Sequence, residues 1–420
     1  MNAGSGVPGG APAAGLLAPM LSLTFVSACL ACIPWGAPVG GATVVGLAVL
    51  GFVALAAARF DSAGRWARIT TWPVVLVLGA FAVSILRCQL PGMAIERSAS
   101  MPLYAAAFLA VQACLWDRRT ARALCAVIAC VAVAMSVDIV VQRVTGASLV
   151  RHVRPGSSRL AGSHDNPNDM AAATMLLPMA LAAFAGARGA LVWQSLTAAA
   201  VAPAWILSVS RQAFGAWVIG ACSPILGRRA TRRVAIGALA LAVAVVAAVA
   251  VVPAARSRTL ETVRTGLGVR EPIIAFGIAL AADHPLTGVG PGLFGSYYAR
   301  EALDGWSWRG QPLPKVGMPW VHCLPVEVAC EYGLVGVCAF GGVAAAAVRR
   351  AWIAARAGDP MGRGALGMLA AFLLIGLVDL TFIKDWVRCE AWVAAGVAFG
   401  LGASGGRPAV GGGDRRPMAS

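Results

Sequence analysis

Long apolar runs separated by short polar connections dominate this chain. A helix of about 20 apolar residues crosses the roughly 30 Å of hydrocarbon in a bilayer, and backbone groups in lipid must find their hydrogen bonds within such helices. The pattern therefore predicts an all-α polytopic membrane protein with about twelve transmembrane helices. The predicted spans are residues 14–34, 38–58, 70–90, 99–116, 121–142, 167–187, 189–208, 210–227, 233–253, 326–348, 365–384 and 386–404.

One connection, residues 254–325, is far longer than the others. It divides the chain into a first group of helices in residues 1–253, the long segment itself, a second group in residues 326–404 and a short cytoplasmic tail at 405–420. Within the segment, the apolar run at 273–280 is too short to cross a bilayer and predicts a helix lying at the interface. A single large polar segment beside a helical bundle is where a membrane enzyme is expected to carry its chemistry.

Composition agrees with a membrane protein, and the charge pattern indicates its orientation. Hydrophobic residues make up 59% of the chain and charged residues 12%, with a mean hydropathy of +0.76, which excludes a soluble domain of this length. Basic residues in short loops stay on the cytoplasmic side, so both termini are predicted inside and the segment 254–325 outside. The inner arginines are Arg59, Arg65, Arg68, Arg118, Arg119, Arg122, Arg188, Arg228, Arg229, Arg232, Arg233, Arg349, Arg350, Arg356 and Arg363.

The formal charge of +16, from 34 basic and 18 acidic residues, also bears on partners. The connection at 143–166 holds four arginines although it is predicted to lie outside. Many arginines therefore serve topology, and others are candidates for binding an anionic substrate. The basic residues form no continuous soluble face, so nucleic-acid binding is not expected.

The eleven cysteines indicate packing rather than disulfides or a metal site. Nearly all of them lie in apolar runs, where cysteine behaves as a small hydrophobic residue. Cys29 and Cys32 share a C-x-x-C spacing inside a span, but no histidine or acidic residue supports them. The sequence therefore predicts no metal site, and it indicates no cofactor.

Several polar positions near the predicted outer face are candidates for chemistry. His322 stands just before the tenth predicted span and is a candidate general base, because histidine changes charge near neutral pH. A structural role at the helix boundary is the alternative. Arg211 follows Ser210 at the start of the eighth span, where an arginine costs about 2.5–3.5 kcal/mol unless it is paired, functional or able to reach the interface. Glu331 is predicted to be buried and to orient a neighbour or bind an arginine.

The long segment also carries a glycine-rich turn and several aromatic residues. Gly288 and Gly290 permit a tight turn and close approach of the backbone to a ligand. No strand precedes them, so a dinucleotide-binding loop is excluded. The aromatic residues either form a belt at the membrane surface or stack against sugar rings. They are Tyr297, Tyr298, Trp306, Trp308 and Trp320.

The order of these motifs resembles the bacterial O-antigen ligase and polymerase superfamily, whose members move lipid-linked saccharides on the periplasmic side of the inner membrane. The resemblance spans residues 160–340, and it is the occurrence of the motifs in the right order that makes it specific. The motifs are residues 162–171, Ser210 with Arg211, Arg270 with Phe276, residues 284–290, and His322 with residues 331–336.

The resemblance implies a GT-C-like membrane fold and a metal-independent glycosyltransferase that inverts the anomeric centre. The implied donor is a glycan on undecaprenyl diphosphate, and the acceptor is a hydroxyl of a lipid A-core sugar or of a growing polysaccharide. Arg211 and Arg270 would hold the diphosphate, because guanidinium groups bind phosphate oxygens bidentately and stay charged. His322 would take the proton of the acceptor hydroxyl. The supporting residues would be Asn168, Ser210, Glu331, Gly288 and Gly290.

Two residues depart from the pattern of the family. Members usually carry asparagine directly after the catalytic histidine, whereas this chain has Cys323. The aromatic residue after the arginine of the long segment is typically tryptophan, and here it is Phe276. The first departure affects the expected orientation of His322.

Four functions fit the sequence to different degrees. An O-antigen ligase stands first, and a polymerase of O-antigen or exopolysaccharide repeats would share its donor and chemistry. Protein O-glycosylation is disfavoured because the predicted tail is short. A transporter or flippase would place ionisable groups near the midplane. Asp138 and Asp379 are candidates for such positions, yet the polar cluster concentrates at the outer face.

Overall fold

The structure is a computed structural model, and it describes residues 14–32, 41–61, 64–152, 154, 159–164, 166–185, 187–223, 270–314, 320–382 and 384–403. The ninth predicted span at 233–253, the beginning of the long segment at 254–269 and the tail at 405–420 lie outside the described residues.

Helices are the dominant secondary structure of the described residues. Two single turns of 3-10 helix, Arg65–Arg68 and Pro167–Met170, and one short antiparallel hairpin accompany them. The hairpin pairs β1 (Ser307–Trp308) with β2 (Gln311–Pro312). The helices are α1 (Ala14–Ala31), α2 (Gly41–Arg59), α3 (Trp72–Arg87), α4 (Pro91–Ser98), α5 (Met101–Cys114), α6 (Arg118–Thr145), α7 (Ala171–Met175), α8 (Leu177–Ala182), α9 (Ala190–Ser208), α10 (Arg211–Cys222), α11 (Arg270–Asp283), α12 (Phe294–Leu303), α13 (Leu324–Arg356), α14 (Pro360–Gly376) and α15 (Asp385–Ala403).

Several helices have the length and composition of membrane spans. Among the described residues, α6, α9 and α13 are long and apolar enough to cross a bilayer, and shorter apolar stretches lie in α1, α2, α3, α10 and α14. The prediction of a helical membrane protein is therefore confirmed. The number of twelve spans and the position of the long segment outside the membrane stay predictions.

The sixth predicted span, residues 167–187, is not one continuous helix. It is divided into the 3-10 turn Pro167–Met170, α7 and α8. Pro178 lies in the first turn of α8, where proline is tolerated because no helical hydrogen bond is required of its nitrogen. The hydropathy of this stretch predicted its burial but not this break. A second difference is α4, a short helix in the connection after α3.

The described part of the long segment has a hydrophobic core of its own. Phe276 of α11 packs edge-on against Trp306 and Tyr298, with ring centroids 5.3 and 5.9 Å apart. Tyr297 and Tyr298 are buried in this core. A role of these two tyrosines in an aromatic belt at the membrane surface is therefore wrong. The prediction of a helix around 273–280 is met by α11, which packs on α13.

A kink in α13 receives the glycine-rich turn of the long segment. Gly333 has φ 61° and ψ −159°, a conformation open essentially only to glycine. The helical hydrogen bonds lost at the kink are replaced from outside the helix. The Leu334 amide donates to the Pro285 carbonyl at 2.8 Å, and the Val335 amide donates to the Leu286 carbonyl at 3.2 Å. The turn and the helix thus form one rigid unit.

The helices that carry candidate residues end at a common side of the bundle. The beginnings of α5 and α15 meet where Ser100 donates to Asp385 at 2.6 Å. The end of α3 meets the glycine-rich turn where Ser84 donates to the Thr287 carbonyl at 2.8 Å. The opposite side gathers arginines of the predicted inner loops, such as Arg65, which lies 5.0 Å from the ring centroid of Trp116.

Candidate active site

His322 lies in the short non-helical segment that leads into α13. Its backbone has φ 57°, in the left-handed region that few residues other than glycine adopt. Residues held in such conformations concentrate at functional sites, because the surrounding structure must offset a cost of about 1–3 kcal/mol. The unusual conformation directs the imidazole ring towards the connection between α14 and α15.

Asp379, in that connection, binds both His322 and Arg270. Its Oδ1 atom lies 2.7 Å from Nδ1 of His322 and 3.2 Å from Nη2 of Arg270. Nη1 of Arg270 donates to the Val378 carbonyl at 2.7 Å. The structure therefore brings together Arg270 and His322, at the two ends of the described part of the long segment, with a carboxylate between them.

The carboxylate of Asp379 is ionised. Its burial alone would raise its pKa, but the hydrogen bond with His322 and the positive charges of Arg270 and Lys384 outweigh burial and lower the pKa below the ordinary value. An ionised carboxylate accepts hydrogen bonds only. The proton of a neutral imidazole is thus held on Nδ1 towards Asp379, and Nε2 keeps a free lone pair.

Trp320 competes with Asp379 for Nδ1 of His322. Its indole Nε1 lies 2.9 Å from Nδ1 of His322. An indole N–H can only donate, so this contact requires a lone pair on Nδ1, whereas the contact with Asp379 requires a proton there. Both hydrogen bonds cannot form at once, and the ionised state of Asp379 favours its own.

Arg211 is the first residue of α10, directly after a strained tight turn. Val209 has φ 49°, an outlier for a β-branched residue, and Ser210 caps the helix by accepting from the Ala213 amide at 3.3 Å. Backbone N–H groups at a helix start attract anions. The side chain of Arg211 lies outside the described residues, so its place relative to His322 stays a prediction.

Asn168 is tied to the same turn by an arginine. Arg159 donates through Nη2 to Oδ1 of Asn168 at 2.6 Å and through Nε to the Ser208 carbonyl at 2.9 Å. One arginine of the connection 143–166 thus fastens the residues before α7 to the end of α9. This contact gives a local, structural reason for the excess of positive charge in that connection.

Glu331 is a buried structural carboxylate. It accepts from the Gly292 amide at 2.8 Å and from the Phe294 amide at 3.2 Å, at the beginning of α12. In this way it satisfies amides that a helix start leaves without internal partners. Within the described part of the chain the carboxylate of Glu331 forms no ion pair with an arginine, so its support of the site passes through the fold of the long segment.

Gly288 and Gly290 lie against protein rather than against an open cleft. A Cβ atom on Gly288 would meet the backbone carbonyl carbon of Glu331 at 2.2 Å, and one on Gly290 would meet Cβ of Cys88 at 2.7 Å. Both glycines have positive φ angles. The close approach predicted for them therefore occurs, but its partners in the described structure are α13 and the end of α3.

Lys384 adds a second charged pair beside the histidine. Its ammonium lies 2.5 Å from Oδ1 of Asp169 and 4.6 Å from the centroid of the Trp320 ring. Sequence reasoning missed Lys384 and did not place Asp379 at the site. The sequence placed both residues within the eleventh predicted span, 365–384, whereas α14 ends at Gly376 and leaves them in the connection to α15. The available signal was that Lys384 is one of two lysines in the chain.

His164 completes this neighbourhood as a buried, neutral ring. It packs edge-on against Trp386 with centroids 6.0 Å apart, and neither ring nitrogen has a hydrogen-bond partner. Burial, followed by the positive charges of Lys384 and Arg151, lowers its pKa to about 3. His164 therefore contributes no positive charge near neutral pH, and Lys384 supplies the cation on this side.

Comparison with known proteins places these residues in a family context. A family model described as O-antigen ligase matches residues 196–341, which include Arg211, Arg270 and His322. No curated protein matches the chain. The resemblance to the O-antigen ligase and polymerase superfamily is thus confirmed over that range, and an O-antigen ligase- or polymerase-type function is supported in general terms.

The described geometry suits proton transfer and the stabilisation of negative charge. Nε2 of His322 can accept a proton, Asp379 can stabilise the imidazolium that results, and Arg270 supplies a fixed positive charge. Among the described residues, no group of three histidine, cysteine or carboxylate side chains is arranged to hold a metal ion.

Proposed function

We propose that the protein is an O-antigen ligase-like glycosyltransferase. It would transfer a glycan from undecaprenyl diphosphate to a hydroxyl of a lipid A-core sugar, on the periplasmic side of the bacterial inner membrane. The observation that carries this proposal is the joining of His322 and Arg270 by Asp379, within 2.7 and 3.2 Å of one carboxylate oxygen. The family match over the same residues supports the class of reaction.

The proposed reaction is a direct displacement at the anomeric carbon. Nε2 of His322 takes the proton of the acceptor hydroxyl, whose oxygen forms the new glycosidic bond. The bond between the anomeric carbon and the diphosphate oxygen breaks, and its electron pair stays on the lipid diphosphate. Arg270, together with Arg211, stabilises that charge. One displacement inverts the anomeric configuration, and neither a metal nor a cofactor takes part.

Asp379 has a double task in this proposal. It fixes the imidazole with Nε2 free, and it stabilises the charge that His322 gains after taking the proton. It also neutralises Arg270 before the donor binds. Arg270 would keep its ion pair with Asp379 when the donor diphosphate binds. The guanidinium would then have two anionic partners instead of one.

Polymerisation of O-antigen or exopolysaccharide repeats is the second candidate, because it would use the same donor and the same proton transfer. Deletion of the gene and analysis of surface polysaccharide separates the two. Lipid A-core without O-antigen, together with long polymer retained on undecaprenyl diphosphate, supports a ligase. Products with a single repeat unit support a polymerase.

The catalytic assignment is tested by complementing the deletion with a His322→Ala variant. We expect transfer to fall by about 10²–10⁴-fold, the usual contribution of general acid–base catalysis. The matched control is His152→Ala, which removes an exposed histidine of another connection that is predicted to lie outside. Full transfer by His322→Ala at normal protein levels would contradict the assignment.

A further inference from the structure

Trp320 keeps a hydrogen-bond donor without an acceptor once His322 is set for catalysis. Its Nε1 is 2.9 Å from Nδ1 of His322, but Nδ1 carries the proton that it donates to Asp379 and has no lone pair to offer. The indole is only partly buried. A donor in this position, next to the reacting ring, is available to an oxygen of a bound substrate.

Lys384 places a positive charge over the same indole. Its ammonium has three N–H groups, of which one faces Oδ1 of Asp169 at 2.5 Å. The ammonium lies 4.6 Å from the Trp320 ring centroid, within the range of a cation–π contact. Its side chain is 16% exposed. Asp169 and the Trp320 ring therefore hold the Lys384 ammonium in place, and its other N–H groups can donate to a ligand.

The two charged pairs flank the histidine in a similar way. Arg270 rests on Asp379 and Lys384 rests on Asp169, so each cation is neutralised by one carboxylate. A ligand that brings two negative charges could be shared between the two cations without leaving either carboxylate unpaired. A diphosphate has this charge and has oxygens that accept from both N–H and ammonium groups.

We propose that Trp320 and Lys384 form a further binding element for the donor, in which the indole N–H and the ammonium bind oxygens of the lipid diphosphate beside His322. This inference rests on the proposed function, since it assigns two more residues to the donor of that reaction. Lysine binds phosphate as a point charge rather than bidentately, which suits a group that also keeps its ion pair with Asp169.

Binding of undecaprenyl diphosphate to the full-length protein in lipid nanodiscs tests the proposal. We expect Lys384→Met to weaken binding by about 10–100-fold, the range for one hydrogen bond to a charged group. Trp320→Phe keeps the ring and removes only the N–H, and we expect about tenfold weaker binding. Lys384→Arg should restore most of the affinity.

Matched controls come from the same segment of the chain. Arg300→Met removes a cation that is 60% exposed and paired with Glu301, and Trp308→Phe removes an indole N–H at the exposed hairpin. Both should bind undecaprenyl diphosphate like the wild type. Equal losses in the controls would point to a general loss of positive or aromatic surface and would overturn the proposal.

The results separate this proposal from the proposed function. Wild-type affinity in Lys384→Met and Trp320→Phe overturns the binding element, even if His322→Ala is inactive. The binding element is also overturned if these two variants lower kcat and leave the KM for the donor unchanged. That result would indicate that Trp320 and Lys384 position His322 instead of binding the donor. If Lys384→Met does not fold, Trp320→Phe decides alone. Full activity of His322→Ala would refute the proposed function while leaving the binding measurements valid.

Discussion

At the scale of single residues, Asp379 determines what His322 can do. Its Oδ1 atom joins the imidazole to Arg270 and fixes the proton on Nδ1. Asp379→Asn replaces one oxygen by an amide group that can donate to Nδ1, which would favour the tautomer with Nε2 protonated and unable to act as a base. The residue is therefore a positioning residue for the proposed reaction.

We expect Asp379→Asn to lower kcat by about 10²-fold, at the lower end of what general acid–base catalysis contributes. The KM for the acceptor should change little. The measurement is steady-state transfer by purified protein, with Asp304→Asn, an exposed carboxylate at the end of α12, as the matched control. Activity close to wild type would show that His322 does not need this partner.

The ionisation of Asp379 also predicts a pH dependence of stability. Its pKa is lowered in the folded protein, so the stabilisation is complete above the ordinary aspartate pKa of about 3.9 and disappears as the pH falls through the folded value. The wild type should therefore unfold at a higher temperature than Asp379→Asn at pH 7, and the two should converge below about pH 4. Thermal unfolding across this range checks the sign.

At the scale of elements, the kink of α13 and the glycine-rich turn act as one unit. A Cβ atom on Gly333 would lie 2.3 Å from the backbone carbonyl carbon of Leu286, which no side-chain movement can relieve. The turn ends near Gly292, whose amide is held by Glu331. This unit positions the beginning of α13, and with it His322.

We expect Gly333→Ala to destabilise the protein by more than about 4 kcal/mol, because a backbone clash adds to the 1–3 kcal/mol of strain at this φ angle. The control is Gly341→Ala in the same helix, where a Cβ atom meets nothing within 4 Å. Yield of folded protein and thermal unfolding provide the measurement. Similar behaviour of the two variants would contradict the close packing.

The role of Glu331 as a cap for backbone amides gives a separate prediction. Glu331→Gln keeps one acceptor but loses the charge-assisted bonds to Gly292 and Phe294, at a cost of about 1–3 kcal/mol in stability. Glu301→Gln, at a more exposed ion pair of α12, should cost far less. A loss of transfer without a loss of stability would instead indicate direct contact of Glu331 with substrate.

At the scale of the whole molecule, helix ends from distant parts of the chain meet at one side. Asp169 and Lys384 are 215 residues apart, and His322 and Asp379 are 57 apart. The arginines of predicted inner loops gather at the opposite side, where Arg350 donates to the Phe399 carbonyl at 3.1 Å. This arrangement agrees with the alternating direction of the predicted spans.

The predicted orientation is tested by labelling introduced cysteines in intact cells with a membrane-impermeant maleimide. Arg309→Cys, at the exposed hairpin, should react from outside, because the long segment is predicted to be periplasmic. Arg356→Cys, at the end of α13, should react only after permeabilisation. The parent protein measures the background of its own cysteines, and the reverse pattern would invert the topology.

The sequence alone determined the class of the protein and several of its chemical groups. Apolar runs of membrane-spanning length require helices, since lipid offers no other partner for backbone groups. The position of His322 before a predicted span marked it as a candidate, and the resemblance to the family added Arg270. Hydropathy could not foresee the division of the sixth predicted span at α7 and α8. It also could not foresee the burial of Tyr297 and Tyr298.

Only the tertiary structure decided which charges meet. Periodicity states which residues of a helix are apolar, but it carries no information on which helix ends become neighbours. Asp379 and Lys384 lie in the short connection between α14 and α15. Apart from the rarity of lysine in this chain, nothing local distinguishes them from charges that only set the topology. Asp379 is buried and Lys384 partly buried beside His322, and this gives them a role, because a charge removed from water needs a partner. The ion pairs of Asp379 with Arg270 and of Lys384 with Asp169 define the candidate site.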